Sequence, residues 1–199
     1  YRKQAPTMKS VLKKCIHLIA IIAVSPLIVL YFVLNIVSSD NCFAAFSQFL
    51  SLFPGKSGNF LRGAFYRLTL PRYSQDTFIG FGTLLSQKNT VIKQGVYIGP
   101  QCNIGACIIE KDCLLGSGVH VLSGKQQHNF EDLDKPIREQ GGHFQPITLG
   151  EDTWAGNGAI IMANVGKKCV VAAGAVVTKD IPDFAIVAGN PATIIKMRK

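Results

Sequence analysis

Aliphatic side chains that recur every six residues constrain this chain more than any other feature. Ile92, Ile98 and Ile104 form one run; after a slip of one residue come Ile109, Leu115 and Val121. Beyond an interruption the pattern resumes at Leu149, Ala155 and Ile161, slips again, and continues through Val165, Val171 and Val177. Ile79 and Leu85 read as an earlier turn of the same pattern. A period of six fits neither an α-helix nor a plainly alternating strand. It fits a parallel β-helix, in which short flat strands meet at corners and each coil stacks on the last. The aliphatic residue then fills the narrow axis. A second set four residues on sits beside it: Val96, Cys102, Ile108, Cys113, Val119, Thr153, Ala159, Val165, Cys169 and Ala175. Glycine follows the aliphatic residue at Gly99, Gly105, Gly150 and Gly156, where a corner needs permissive backbone.

The six cysteines have no CxxC pair among them, and Cys102, Cys113 and Cys169 fall on the small-residue positions of the repeat. They read as free core thiols in a reducing compartment rather than as disulfides or metal ligands. A net charge of +9 favours anionic partners. The basic residues are scattered and carry no helix-turn-helix or zinc-finger spacing, so no nucleic acid is expected among them.

Residues 15–37, "CIHLIAIIAVSPLIVLYFVLNIV", are apolar and long enough to cross a bilayer as a helix. No small-residue cleavage site follows, so a signal peptide is not expected. Ser25-Pro26 lies near the middle, where proline removes a backbone donor and clashes with the preceding turn. Basic residues flank both ends: Arg2, Lys3, Lys9, Lys13 and Lys14 before, Lys56, Arg62, Arg67 and Arg72 after. The positive-inside tendency puts both ends on the cytoplasmic side. The expectation is a re-entrant or in-plane anchor bent at Ser25-Pro26, followed by an interfacial helix over 42–53. This assigns residues 1–54 to the anchor, 55–77 to a linker and 78–199 to the β-helix.

The rhythm stops between Val121 and Leu149, which implies a loop over 123–146 extruded at a corner without disturbing the coils. It holds His128, His143, Glu131, Asp132, Asp134, Arg138 and Gly141-Gly142. Histidine is the side chain whose unperturbed pKa suits a general base at neutral pH.

The run "ITLGEDTWAGNGAIIMANVGKKCVVAAGAVVTKDIPDFAIVAGNPATIIKMRK" resembles the C-terminal half of the hexapeptide-repeat acyltransferases, among them the galactoside, maltose, serine and xenobiotic acetyltransferases. The segments "AAGAVVTKDIP" and "AIVAGNPA" carry the resemblance most specifically, and it covers roughly residues 78–199. Residues 50–80 resemble the lead-in of acetyltransferases from bacterial surface-polysaccharide gene clusters. The resemblance implies an all-β fold, a left-handed parallel β-helix, here with an N-terminal membrane-associated helical segment and a short C-terminal tail. It implies acetyl-CoA as co-substrate, no metal, a homotrimer, and a glycan or a lipid- or nucleotide-linked sugar as acceptor. By family matching His128 is the general base, and Asn157, Ala173, Thr178, Lys179 and Lys196 line the coenzyme groove. Trp154, Glu131 and His143 are candidates on the acceptor side. The expected location is the bacterial inner membrane with the catalytic domain facing the cytoplasm. Two other classes stay open: a zinc hydratase like the γ-carbonic anhydrases, using His120, His128 and His143, and a non-catalytic β-helix scaffold.

Overall fold

The structure is a computed structural model and describes residues 8–37 and 39–198. Three parallel sheets form the faces of a prism of about six coils. The first contains β1 (Arg72–Tyr73), β4 (Val91–Ile92), β7 (Cys107–Ile109) and β10 (Ile147–Leu149). The second contains β2 (Phe78–Ile79), β5 (Tyr97–Ile98), β8 (Leu114–Leu115), β11 (Trp154–Ala155), β13 (Val170–Val171) and β15 (Ala185–Ala188). The third contains β3 (Leu84–Leu85), β6 (Asn103–Ile104), β9 (His120–Val121), β12 (Ile160–Ile161) and β14 (Val176–Val177). The expected C-terminal tail becomes a strand, β16 (Thr193–Met197), which pairs antiparallel with β15 and closes the second sheet.

The six-residue pattern is the core. Ile98 stands opposite Leu115, Ile104 opposite Val121, and Ile161 opposite Val177 in successive coils. The axial residues from Ile79 to Val187 are buried, most of them completely. One residue of the second set does not turn inward. Ile108 points outward at the centre of β7, while Cys107 and Ile109 on either side point in. The one-residue slip after Ile104 shifts the phase, and a strand can send only alternate side chains inward.

Two further helices, α2 (Ser39–Ser51) and α3 (Gly55–Thr69), cover the N-terminal end of the prism. Residues 55–77 are therefore not a linker. The first coil has backbone groups facing away from the stack, and an uncovered sheet edge invites further pairing. The helices satisfy them. Ile79 N donates to Asn59 Oδ1 at 2.8 Å, Leu85 N to Ser47 Oγ at 2.8 Å, and Gly82 N to the Ser51 carbonyl at 3.0 Å. Arg62 of α3 is completely buried and makes no ion pair with a carboxylate among the described residues. Its Nε and Nη2 donate to the Ile79 carbonyl at 3.2 and 2.9 Å, and its Nη1 to the Leu50 and Phe53 carbonyls at 3.2 and 2.7 Å. Leu50 lies in the last turn of α2 and Phe53 two residues beyond it, where the helix dipole is negative and carbonyls need outside donors. One guanidinium thus joins a helix end to the first coil.

The first helix, α1 (Met8–Val37), runs on through Pro26, so the expected break at Ser25-Pro26 is absent. The physical reason is local. Pro26 has no N–H to offer the Ile22 carbonyl, and the Ser25 hydroxyl donates to that carbonyl instead, at 2.8 Å. Ala20, Val24, Ile28 and Tyr31 form a buried stripe against α2 and α3. Tyr31 meets Phe46 and Phe65 edge-on, at centroid distances of 5.6 and 5.5 Å. The opposite face exposes Leu18, Ile22, Val29, Phe32 and Val33, all apolar. The segment from Leu12 to Val37 is long and apolar enough to cross a membrane.

Candidate active site

The loop leaves the third sheet after β9 and rejoins the prism at β10 in the first sheet. Its base is a narrow two-sided stem. His143 N donates to the Gln126 carbonyl at 2.7 Å, Asn129 N to the Gly141 carbonyl at 3.0 Å, and Gln145 N to the Ser123 carbonyl at 3.0 Å. Gly142 is required here, because a Cβ would come within 1.9 Å of the Gln127 carbonyl oxygen. At the tip, Gln140 Nε2 donates to the Asp132 and Lys135 carbonyls, both at 2.7 Å, and its Oε1 accepts from Asp132 N at 3.1 Å. The loop therefore holds its own shape without adding to the core.

Under the stem, against the third sheet, lies a cavity of about 180 Å³. Ser86, Asn103 and His120 rise from the sheet, and Gln127 and Phe144 close it from the loop. Asn103 and His120 are in direct register on β6 and β9. With Gln87 and Ser123 the lining offers two hydroxyls, three amides and an imidazole beside one aromatic ring, a set suited to a polyhydroxylated ligand.

The structure does not gather the expected residues into this cavity alone. His128 is exposed on the stem, one residue beyond Gln127. His143 is also exposed and is tied down through its backbone rather than its ring. Glu131 stands exposed on the tip and makes no ion pair among the described residues. His120 is the histidine in the cavity wall. Its signal in the sequence, and that of Asn103, is a polar side chain at an outward position where a neighbouring coil carries Ile160.

Asn157 and Ala173 stack in adjacent coils at the corner between the second and third sheets. Gly174 N donates to the Asn157 carbonyl at 2.9 Å, and Ser117 N to Asn157 Oδ1 at 3.0 Å. Thr178 and Lys179 follow β14 on the opposite edge of the third sheet. Leu122, Met162 and Thr178 occupy equivalent places in three successive coils there, since Leu122 N bonds to Ile161 O and Met162 N to Val177 O. The stem of the loop thus emerges on the same edge as Thr178, two coils or about 10 Å away. Lys196 lies on β16 opposite Ile186, at the end of the second sheet. Trp154 is on the outer face of the second sheet, between Leu114 and Val170 and away from the cavity. Tyr97, Leu114 and Trp154 are 41%, 45% and 51% exposed there, in register across β5, β8 and β11, and form an apolar stripe.

No three histidine, cysteine or carboxylate side chains converge as a possible metal site among the described residues, so His120, His128 and His143 form no ligand set within the chain. Burial raises the thiol pKa values of Cys102, Cys107, Cys113 and Cys169, with Cys113 pushed up to about 11, and leaves them poor nucleophiles.

The repeat and the coils define the class: a parallel β-helix of the hexapeptide-repeat type. The hexapeptide repeat of succinyl-transferase matches residues 146–179. A probable acetyltransferase of Mycobacterium tuberculosis is 36% identical over 74 residues, covering 36% of this chain and 25% of that protein. A maltose O-acetyltransferase from Clostridium difficile has the same fold, with a TM-score of 0.71 at 19% identity, over 83% of this chain and 89% of that one. So does a hexapeptide-repeat acetyltransferase from Vibrio cholerae in complex with acetyl coenzyme A, with a TM-score of 0.55 at 19% identity, over 82% and 89% of the two chains. The first curated relatives are matched over 25%, 34% and 56% of their own length.

Proposed function

We propose that this chain is a membrane-bound acetyltransferase that moves an acetyl group from acetyl-CoA to a hydroxyl of a surface glycan, or of its lipid- or nucleotide-linked sugar precursor. The observation that carries this reading is the polar cavity under the extruded loop, with His120 in its wall and His128 on the stem beside it. The sequence relatives are named acetyltransferases, and the Vibrio protein of the same fold binds acetyl coenzyme A; both support it.

In this mechanism Ser86, Asn103 and His120 hold the acceptor sugar. The His128 imidazole takes the proton from the attacking hydroxyl, and the oxygen adds to the thioester carbonyl. Backbone N–H groups stabilise the tetrahedral oxyanion. The C–S bond then breaks, the acetyl ester leaves with the sugar, and the imidazolium returns its proton to the coenzyme A sulfur. Asn157, Ala173, Thr178, Lys179 and Lys196 receive the coenzyme, the lysines facing its phosphates. These residues lie on two edges of the third sheet and at the end of the second. A second copy against the Tyr97–Leu114–Trp154 stripe turns one of those edges into a groove. The assembly is a closed homotrimer, three β-helices side by side.

The enzyme works on the cytoplasmic face of a bacterial inner membrane, where acetyl-CoA is available, a reading that the long apolar helix α1 supports. The inner stripe of α1 is covered by α2 and α3, which Arg62 ties to the first coil. Its outer face is apolar over Leu18 to Val33 and stays in lipid while α1 lies in the membrane plane. The purified protein with acetyl-CoA and a cell glycan extract should release free coenzyme A in proportion to acceptor. Hydrolysis at one rate with or without acceptor would defeat the proposal.

A further inference from the structure

Two adjoining hollows open beside His17, near the start of α1. The wider, about 370 Å³, falls within the range of small-ligand pockets and is walled by Lys13, Lys14 and His17 together with Ser74, Gln75 and Gln94. The narrower shares His17 and Gln75 and adds Arg67 of α3. The Nε2 atom of His17 is buried and has no hydrogen-bond partner among the described residues. Buried polar atoms nearly always have one, so an orphan beside a cavity points to a missing ligand. Lys13, Lys14 and Arg67 take part in no ion pair among the described residues. Asp76 also lines the wider hollow, but its carboxylate already accepts from Ser74 Oγ at 2.5 Å. The hollows therefore carry surplus positive charge and an unused imidazole nitrogen. They also border the apolar segment of α1: exposed Leu18 follows His17 directly, and the span long enough to cross a membrane runs from Leu12.

We propose that these hollows bind the phosphate of an anionic membrane lipid. The inference rests on the reading of α1 as lying in the membrane. The lysine ammoniums and the Arg67 guanidinium meet the non-ester oxygens in charge-assisted hydrogen bonds, and His17 Nε2 supplies a further bond. Gln75 and Gln94 stand where the group esterified to the phosphate projects toward solvent. A phospholipid headgroup and the phosphate of a polyprenyl sugar carrier share this chemistry.

Flotation of the full chain with vesicles tests it, using phosphatidylcholine alone, phosphatidylcholine with phosphatidylglycerol, and phosphatidylcholine with a polyprenyl phosphate. The wild type should bind all three, with about tenfold or greater preference for an anionic mixture, as two or more basic contacts imply. The mixture it prefers names the source. His17→Phe changes no net charge at neutral pH and should abolish most of the preference, while His17→Gln, which keeps a donor in place, should retain it. Arg67 is exposed, so Arg67→Gln should fold normally and also lose preference, with Arg67→Lys intermediate. A preference unchanged in His17→Phe and Arg67→Gln would mean diffuse attraction and overturn the site. Displacement by soluble glycerol phosphate as effective as by lipid would overturn the lipid assignment. Equal flotation with all three vesicles would overturn the site while leaving the membrane reading intact. No flotation at all would overturn both.

Discussion

Arg62 concentrates the cost of joining the helices to the coils in one side chain. Burial lowers its pKa, yet the Leu50, Phe53 and Ile79 carbonyls hold the charge without a carboxylate. Arg62→Ala should destabilise the protein by about 3–5 kcal/mol, the penalty for stranding buried partners of a charged group. Chemical denaturation checks this. The buried thiols give a pH dependence. Burial raises the Cys113 pKa from 9.0 to about 11, so the thiolate is favoured in the unfolded chain. That stabilisation is complete below the unfolded pKa and is lost as pH rises toward the folded one. Thermal stability should fall between about pH 9 and pH 11, and Cys113→Ala should shallow the fall. The three loop and sheet histidines separate by kinetics. His128→Ala should lower kcat by about 10²–10⁴. His120→Ala should act mainly through the acceptor KM, and His143→Ala should do little because its backbone makes the stem contact. Steady-state rates with both substrates varied distinguish the three.

At the scale of elements, the coils were legible and their cap was not. A six-residue period dictates which side chains reach the axis, and the buried set from Ile79 to Val177 follows it. Ile108 escaped because a one-residue slip reverses alternation locally. The cap was hidden for a different reason. Arg62 reads in the sequence as one more flanking cation, and only the packed structure shows the carbonyls it serves. Pro26 was read for what it removes, whereas Ser25 beside it restores a partner for the Ile22 carbonyl. The site was legible in part. The interruption of the repeat announced the loop and its histidines, but which of them meets a cavity depends on register between coils. His120 and Asn103 are brought together by a full turn of the prism.

For the whole molecule, the layer order runs from β-helix through α2 and α3 to α1, and the outermost surface is apolar. A helix fixed flat on such a layer should leave both of its ends on one side of the bilayer. Cysteines introduced at Met8 and Lys56 should therefore react with a membrane-impermeant maleimide from the same side; labelling from opposite sides would establish a crossing. Acetyl transfer to a surface glycan through the loop histidine is read out in the O-acetyl content of that glycan. This is measured by proton NMR in cells lacking the gene, complemented with the wild type or with His128→Ala. Acetyl esters should disappear with the gene, return with the wild type, and stay absent with a His128→Ala protein that still reaches the membrane fraction. Full acetylation without the gene, or its full recovery with His128→Ala, would contradict that transfer.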